Sequence, residues 1–567
     1  GIGFKTADRI AYSMGIPTDS PNRVKSGIKY ILSESLLDGN VFMPKDSLIR
    51  QAGEILSVDE EMVDNSLREL QIEHKVFNEN IDGTDAVYLM TMYYTEISAA
   101  KKLLELSFFH DDADLKKIND KIDAVEDLSG ICLAKQQRTA VIEAMREGVL
   151  VITGGPGTGK TTIIHTIIQI FKSSGMEVVL AAPTGRAAKR MTETTGIEAK
   201  TIHRMLGVAY ADDDNGRQKF DKNETEPIEA DVIIIDEVSM VDMQLFNNLL
   251  KAIEPGTRLI LVGDANQLPS VAAGNVLKDI IKSEKIKVVR LTEIFRQARE
   301  SAIITNAHKI NSGEEPVMNG KNTDFFFVNA QYAPEVPGKI VELITKRLPK
   351  FTGVDSFSDM QVLTPMRKGD IGAAGLNKTL QKALNPPSDG KKEYETSSCT
   401  FREGDKVMQI KNNYNISWKI ENRLGKVIDD GTGIYNGDMG IIKSINKQAE
   451  TITVLFDDMR QAVYEFTALD ELELAYAVTI HKSQGSEYPV VIIPIHSGPP
   501  MLMSRNLLYT AVTRAKKFVI IVGLKSSVNR MVANDREVSR YSGFAYRLET
   551  LYDFMLETGD DGDTISF

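Results

Sequence analysis

The stretch Val149–Thr162, VLVITGGPGTGKTT, constrains this chain more than any other. A continuous apolar run is followed at once by a glycine-rich loop and then by helix-forming residues. A strand with no polar face must be covered on both sides, which points to a parallel α/β sheet. Further apolar runs repeat the pattern at Glu177–Ala181, Val232–Ile235, Arg258–Val262 and Lys287–Arg290. A second set begins at Met360–Thr364 and resumes at Ala475–Thr479, Val490–Ile495 and Phe518–Val522. The intervening Phe401–Glu471 is rich in Gly-Asp turns and strand-like runs, and predicts a small β insert of barrel type. The polar stretch Asp212–Pro227 reads as an inserted hairpin or loop. Residues before Leu133 read as short helices with little strand, and Thr558–Ser566 reads as a frayed tail.

The glycine loop has a specific chemistry. Glycines let backbone N–H groups turn toward phosphate oxygens, and the following helix N-terminus favours negative charge. Gly155, Pro156, Gly157, Thr158, Gly159, Lys160, Thr161 and Thr162 are therefore expected to hold a nucleoside triphosphate. Lys160 would reach the β- and γ-phosphates, and Thr161 would coordinate Mg²⁺. The run ending in Asp236-Glu237 supplies the complement. Asp236, at the edge of a buried strand, would hold the Mg²⁺, and Glu237 would orient and deprotonate the attacking water. Together these residues read as an ATPase without saying which work is driven.

Composition bounds the partners. The chain has 567 residues, enough for several domains, and a net charge of -12. Any nucleic-acid site must then be a local groove set against the overall field. Cys132 and Cys399 are the only cysteines, which excludes a disulfide scaffold and a cysteine-rich zinc site. No apolar run approaches the roughly 20 residues that span a bilayer, so an intracellular, cytoplasmic protein without a membrane partner is expected. Gly1 in place of an initiator Met suggests a fragment lacking an N-terminal part.

From Leu133 onward, ordered segments resemble superfamily I helicases, and more narrowly the RecD-like DNA helicases. They are LAKQQRTA at Leu133, AAPTGRAAKRM at Ala181, TIHRMLG at Thr201, DEVSM at Asp236 and VGDANQLPSV at Val262. LTEIFRQA at Leu291, AVTIHKSQGSEYP at Ala477 and YTAVTRAKK at Tyr509 complete the set. The N-terminal GIGFKTADRIA is similar to the extension of the long bacterial members. The resemblance implies two RecA-like parallel-sheet motor domains (131–350; 351–400 with 472–550), an SH3-like β insert (401–471) and a mainly helical N-terminal region. That region divides into a partial helix-hairpin-helix segment (1–40) and a helical domain with linker (41–130). A pin-like insert near 208–228 and a C-terminal tail (551–567) complete the organisation.

The same resemblance implies roles for individual residues. Gln137 would read adenine, with Gln136 as the alternative, and Gln267 would sense the γ-phosphate. Arg296 and Arg514 would close on that phosphate from across the cleft. Gly485 and Glu487 belong to the segment that couples nucleotide to DNA. Thr184, Arg186 and His203 on the first motor would contact DNA, as would Arg367, Thr479, His481 and Lys482 on the second. The implied cofactors are ATP and Mg²⁺. The implied partners are single-stranded DNA and tailed duplex, with a single-stranded-DNA-binding or repair protein possible. The chain would work as a monomer, associated with the nucleoid when engaged. The expected activity is 5'-to-3' unwinding; the alternatives are a translocase that remodels nucleoprotein and a nucleotide-gated interaction module.

Overall fold

The computed structural model describes residues 4–13, 15, 17–111, 114–209, 219–295, 298, 300–321, 323–535 and 540–558. Its centre is a six-stranded parallel sheet. The strands run, edge to edge, Lys287–Leu291, Val149–Gly154, Arg258–Gly263, Val232–Ile235, Val178–Ala182 and Ala199–Thr201. The three central strands are buried along both faces, as their unbroken apolar runs require. One face packs on the helices Leu115–Ser129, Lys135–Arg146 and Lys160–Ser173; the other meets Met243–Lys251 and the N-terminal helix Met90–Ser107.

A second parallel sheet has the order Phe325–Asn329, Ala515–Gly523, Tyr488–Ile495, Met360–Thr364 and Ala477–Thr479. This corrects the expected end of the first motor at residue 350. Phe325–Asn329 pairs in register with Val519–Gly523, and the helix Ala302–Asn311 shares the second core, so the crossover lies near residue 300. The signal was ambiguous because a short apolar run does not say which sheet it joins.

Between Met360–Thr364 and Ala477–Thr479 the chain forms a seven-stranded antiparallel sheet. It spans Lys406–Gln409 to Leu472–Leu474. Its strand Thr451–Phe456 alternates buried and half-buried residues, the pattern of a sheet with one covered face. Strands Val208–Ala209 and Lys219–Phe220 form an antiparallel stem at the predicted insert, whose tip lies outside the described residues.

The N-terminal region is mainly helical, as its sequence reads, and adds one small sheet. Helices Pro21–Leu37, Lys45–Leu56 and Glu60–Ile72 pack with a three-stranded antiparallel sheet, Phe42–Pro44, Thr84–Leu89 and Val76–Ile81. The expected tail from 551 also needs correction. The helix Phe544–Thr558 packs its Leu548, Leu551, Tyr552 and Met555 against the first core. Residues 559–567 lie outside the described residues. Among the described residues, no helix is long and apolar enough to cross a membrane.

Candidate nucleotide and DNA sites

The glycine loop leaves Val149–Gly154 and turns into the helix beginning at Lys160, with Gly157 and Gly159 in the left-handed region. A Cβ at Gly159 would sit 2.2 Å from the Gln137 amide and 2.4 Å from the Phe295 ring, so only glycine fits there. Lys160 Nζ donates to the carbonyls of Gly154 (2.6 Å) and Gly155 (3.1 Å), and Thr158 Oγ1 donates to Gly155 O at 2.8 Å. Among the described residues, no carboxylate lies within 4 Å of the Lys160 ammonium. Gln137 is buried. Its Nε2 donates to Thr158 O at 3.0 Å and its Oε1 accepts from Ala134 N at 2.9 Å, so its amide braces the loop. Gln136 exchanges hydrogen bonds with Thr292.

Asp236 follows directly on Val232–Ile235, and its Oδ1 accepts from Glu237 N at 2.8 Å. Burial, reinforced by the charge of Glu237, pushes the Asp236 carboxyl up to about 6, against the opposing effects of Arg190 and Lys160. A bound dication would reverse that preference. Glu237 adopts φ 54° and is buried. Gln267 donates to Asp264 at 3.3 Å, and Asp264 accepts from Tyr509 of the second motor at 2.6 Å. The Tyr509 hydroxyl lies 3.1 Å from where a Gly155 Cβ would stand, directly over the loop. Burial, and then the charge of Asp264, keep the phenol protonated well above its usual range. His308 Nε2 donates to Pro156 O at 3.1 Å.

Arg514 is 2% exposed. Among the described residues, its guanidinium contacts Ser486 O through Nη1 at 3.4 Å and Thr513 Oγ1 through Nη2 at 3.2 Å, and its Nε has no partner. Among the described residues, no carboxylate pairs with it. Arg296 lies outside the described residues. Tyr509, His308 and Arg190 were not singled out from sequence. Tyr509 and Arg190 stand inside the motif strings, but a string does not say which of its residues faces the cleft.

The proposed DNA residues line the junction of the two motors and the β insert. Thr184 caps the helix Gly185–Thr195 and accepts from Ala187 N at 3.3 Å. Gly485, at φ +70°, brings the second motor so close that a Cβ would meet Thr184 Oγ1 at 2.5 Å. Arg186 is held by Tyr488 OH at 3.2 Å and by Asp457 of the β insert at 2.5 Å. Arg367 and Lys482 share the two oxygens of Glu473, at 2.6 and 2.7 Å. Thr479 ends its strand, and His481 and Lys482 begin the short turn that follows. His203 sits between Phe220 of the hairpin stem and Tyr414 of the β insert, with ring centroids 6.0 and 6.4 Å away. Burial pushes its pKa down. A cleft of about 500 Å³ separates the first motor from the insert. Arg186, Lys189, Lys200 and Arg204 line one wall, and Trp418 and Asp457 stand on the other.

Four family models match successive parts of the chain. They are the ATP-dependent RecD2 DNA helicase HHH domain (1–42), the AAA domain (132–326), the ATP-dependent RecD-like DNA helicase SH3 domain (376–456) and the UvrD-like helicase C-terminal domain (474–522). The RecBCD enzyme subunit RecD of Mycolicibacterium smegmatis is 29% identical over 465 residues, covering 75% of this chain and 77% of that protein. The crystal structure of Pif1 helicase from Bacteroides in complex with ADP-AlF3 and ssDNA is 19% identical, with a TM-score of 0.41, covering 76% of this chain and 98% of that one. The ATP-dependent RecD2 DNA helicase of Deinococcus radiodurans is 32% identical over 549 residues, 95% of this chain and 70% of that protein. With this chain matched nearly end to end to that relative and the two RecD-type domain models found on either side of the glycine loop, the chain belongs to the ATP-dependent RecD2 DNA helicase family.

Proposed function

We propose that this chain, an ATP-dependent DNA helicase by its family, binds Mg·ATP between its two motor sheets and moves 5'-to-3' on single-stranded DNA as a monomer, separating duplex ahead of it. The observation that carries the nucleotide reading is a pair of uncompensated cations. Lys160 on the first motor and Arg514 on the second have no carboxylate within 4 Å among the described residues. A buried guanidinium without a counter-charge is costly unless an anion completes it, and a triphosphate is such an anion. The donor set also fits magnesium, a hard ion suited to one hydroxyl, one carboxylate and phosphate oxygens. Thr161 and Asp236 would hold it, and its charge would offset that developing on the phosphates.

The residues then divide the work. The loop N–H groups and Lys160 orient the phosphates, and Glu237 takes a proton from the attacking water. Arg514 stabilises charge on the transferred group from the second motor, so closure of the cleft and turnover depend on one another. Gly485 packs on the cap of the helix carrying Thr184 and Arg186, which supports coupling between cleft closure and grip on the strand. The polarity follows the family resemblance.

Glu237→Gln tests the reading. It should retain nucleotide binding and lose ATP hydrolysis about 100-fold or more, with unwinding of tailed duplexes lost in parallel. Unwinding at the parent rate would remove Glu237 from its role. Duplexes carrying only a 5' or only a 3' single-stranded tail test the polarity, and preference for the 3' tail would reverse it.

A further inference from the structure

Among the described residues, Arg190 is the cation paired with the residue read as activating water, and its own role is unassigned by the motif reading. Its Nη1 lies 2.6 Å from Glu487 Oε1 on the second motor and 3.7 Å from Glu237 Oε1 on the first. The other Glu487 oxygen is 3.5 Å from Lys516 Nζ. One guanidinium thus joins carboxylates from both motors. The two carboxylates are largely shielded, with side chains only 10% and 20% exposed, while the Arg190 side chain is 34% exposed. Arg190 also differs in kind from Lys160 and Arg514. Its charge is spent on two carboxylates, so it is not waiting for a phosphate.

Two further observations show how such a bridge could act. Glu237 holds a left-handed backbone, φ 54°, a conformation a non-glycine residue keeps only where its surroundings impose it. The aim of its carboxylate is therefore set by contacts, and Arg190 supplies the charged one. In addition, Arg190 rides on the helix Gly185–Thr195, whose cap Thr184 touches Gly485 of the second motor. At 1.5 Å of rise per residue, that cap is about 9 Å from Arg190 along one rigid element.

We propose that Arg190 is a positioning residue for ATP hydrolysis: held by Glu487 when the motors close, it aims the Glu237 carboxylate at the attacking water. This deepens the nucleotide reading above and rests on Glu237 being the activating carboxylate. Hydrolysis then depends on the second motor through two routes, Arg514 acting on the phosphate and Arg190 acting on the base. The planar guanidinium suits the second route because it offers donors in two fixed directions, which a lysine ammonium does not.

The test uses the full chain with saturating single-stranded DNA, and compares Arg190→Gln, Arg190→Lys, Glu487→Gln, the double variant Arg190→Gln/Glu487→Gln and Glu237→Gln. Steady-state ATPase gives kcat and KM separately, and a fluorescent ADP gives nucleotide affinity. Arg190→Gln should lower kcat about tenfold or more while KM and ADP affinity stay within about threefold. Arg190→Lys should recover part of the lost kcat, which a purely packing role would not predict. The double variant should be no slower than Arg190→Gln alone, since both changes break one bridge. A kcat for Arg190→Gln within twofold of the parent would overturn the proposal, as would a rise in KM at unchanged kcat, or fully additive losses in the double variant. Glu237→Gln separates the two claims. If it still hydrolyses ATP, the reading of Glu237 fails; if it is inactive while Arg190→Gln is normal, only the positioning role fails.

Discussion

Arg514 is one of the larger side chains to be fully buried among the described residues, where its Nε has no hydrogen-bond acceptor. Burying such a group unpaired destabilises a fold, so the chain holds it at the expense of ligand-free stability. Arg514→Ala should therefore lower ATP turnover about 100-fold or more, leave single-stranded-DNA affinity within about threefold, and leave the ligand-free chain no less heat-stable. Steady-state hydrolysis, fluorescence anisotropy and thermal denaturation check the three parts. Lys160, Asp236 and Glu237 were proposed from the sequence because phosphate chemistry calls for those residue types next to particular strands and loops, whereas Arg514 was proposed only through the family resemblance. The partners of Gln137 were not. An amide reads equally well as a base reader or a loop brace, and only the packing shows that Thr158 and Ala134 occupy both of its ends.

The β insert and the helix Gly185–Thr195 meet through Asp457 and Arg186. The Asp457 side chain is 59% exposed, so this pair is a weak, salt-sensitive latch on a residue proposed to bind DNA. Asp457→Asn should tighten single-stranded-DNA binding by about threefold at low salt, with the gain shrinking as salt rises. Anisotropy titrations at two salt concentrations check it, and weaker binding by the variant would argue against the competition. The central strands were easily found from sequence, since burial on both faces leaves an unbroken apolar run. The N-terminal sheet was harder to see. Its hairpin strands mix apolar and polar residues without a clear alternation, and Phe42–Pro44 is only three residues long. The turn Asp82-Gly83, with φ 49° and 82°, was the available signal, because Asp-Gly suits a tight hairpin whose two central residues both take positive φ.

On the scale of the whole molecule, the C-terminal segment closes the chain back onto its beginning. Arg547 pairs with Glu79 and the fully buried Glu96, while Tyr541 N donates to the Asn40 side-chain oxygen and Tyr541 O accepts from Val41 N. Ser542 Oγ stands 2.7 Å from Asp279 Oδ2 and 3.1 Å from Glu96 Oε1. A hydroxyl has one proton to donate, so two ionised carboxylates cannot both be satisfied there. Burial pushes the Asp279 carboxyl up to about 7; the Ser542 hydrogen bond opposes this, the charge of Glu96 adds to it, and Lys282 and Lys278 oppose it. With the folded pKa above the unfolded one, this group's stabilisation is complete below about pH 4 and is lost as pH rises through about 7. Asp279→Asn should therefore gain thermal stability relative to the parent on going from pH 5 to pH 8. Melting curves at matched ionic strength check it, and a pH-independent difference would exclude Asp279 as the titrating group.

The sequence alone determined which chemistry is present and roughly which strands carry it, because a phosphate loop and doubly covered strands each demand a narrow set of residues at short spacing. Tertiary structure decided which sheet takes Phe325–Asn329, what each arginine faces, and how the two ends of the chain meet. Those outcomes depend on contacts between residues hundreds of positions apart, such as Arg190 with Glu487 and Arg547 with Glu79. A local pattern carries no record of them.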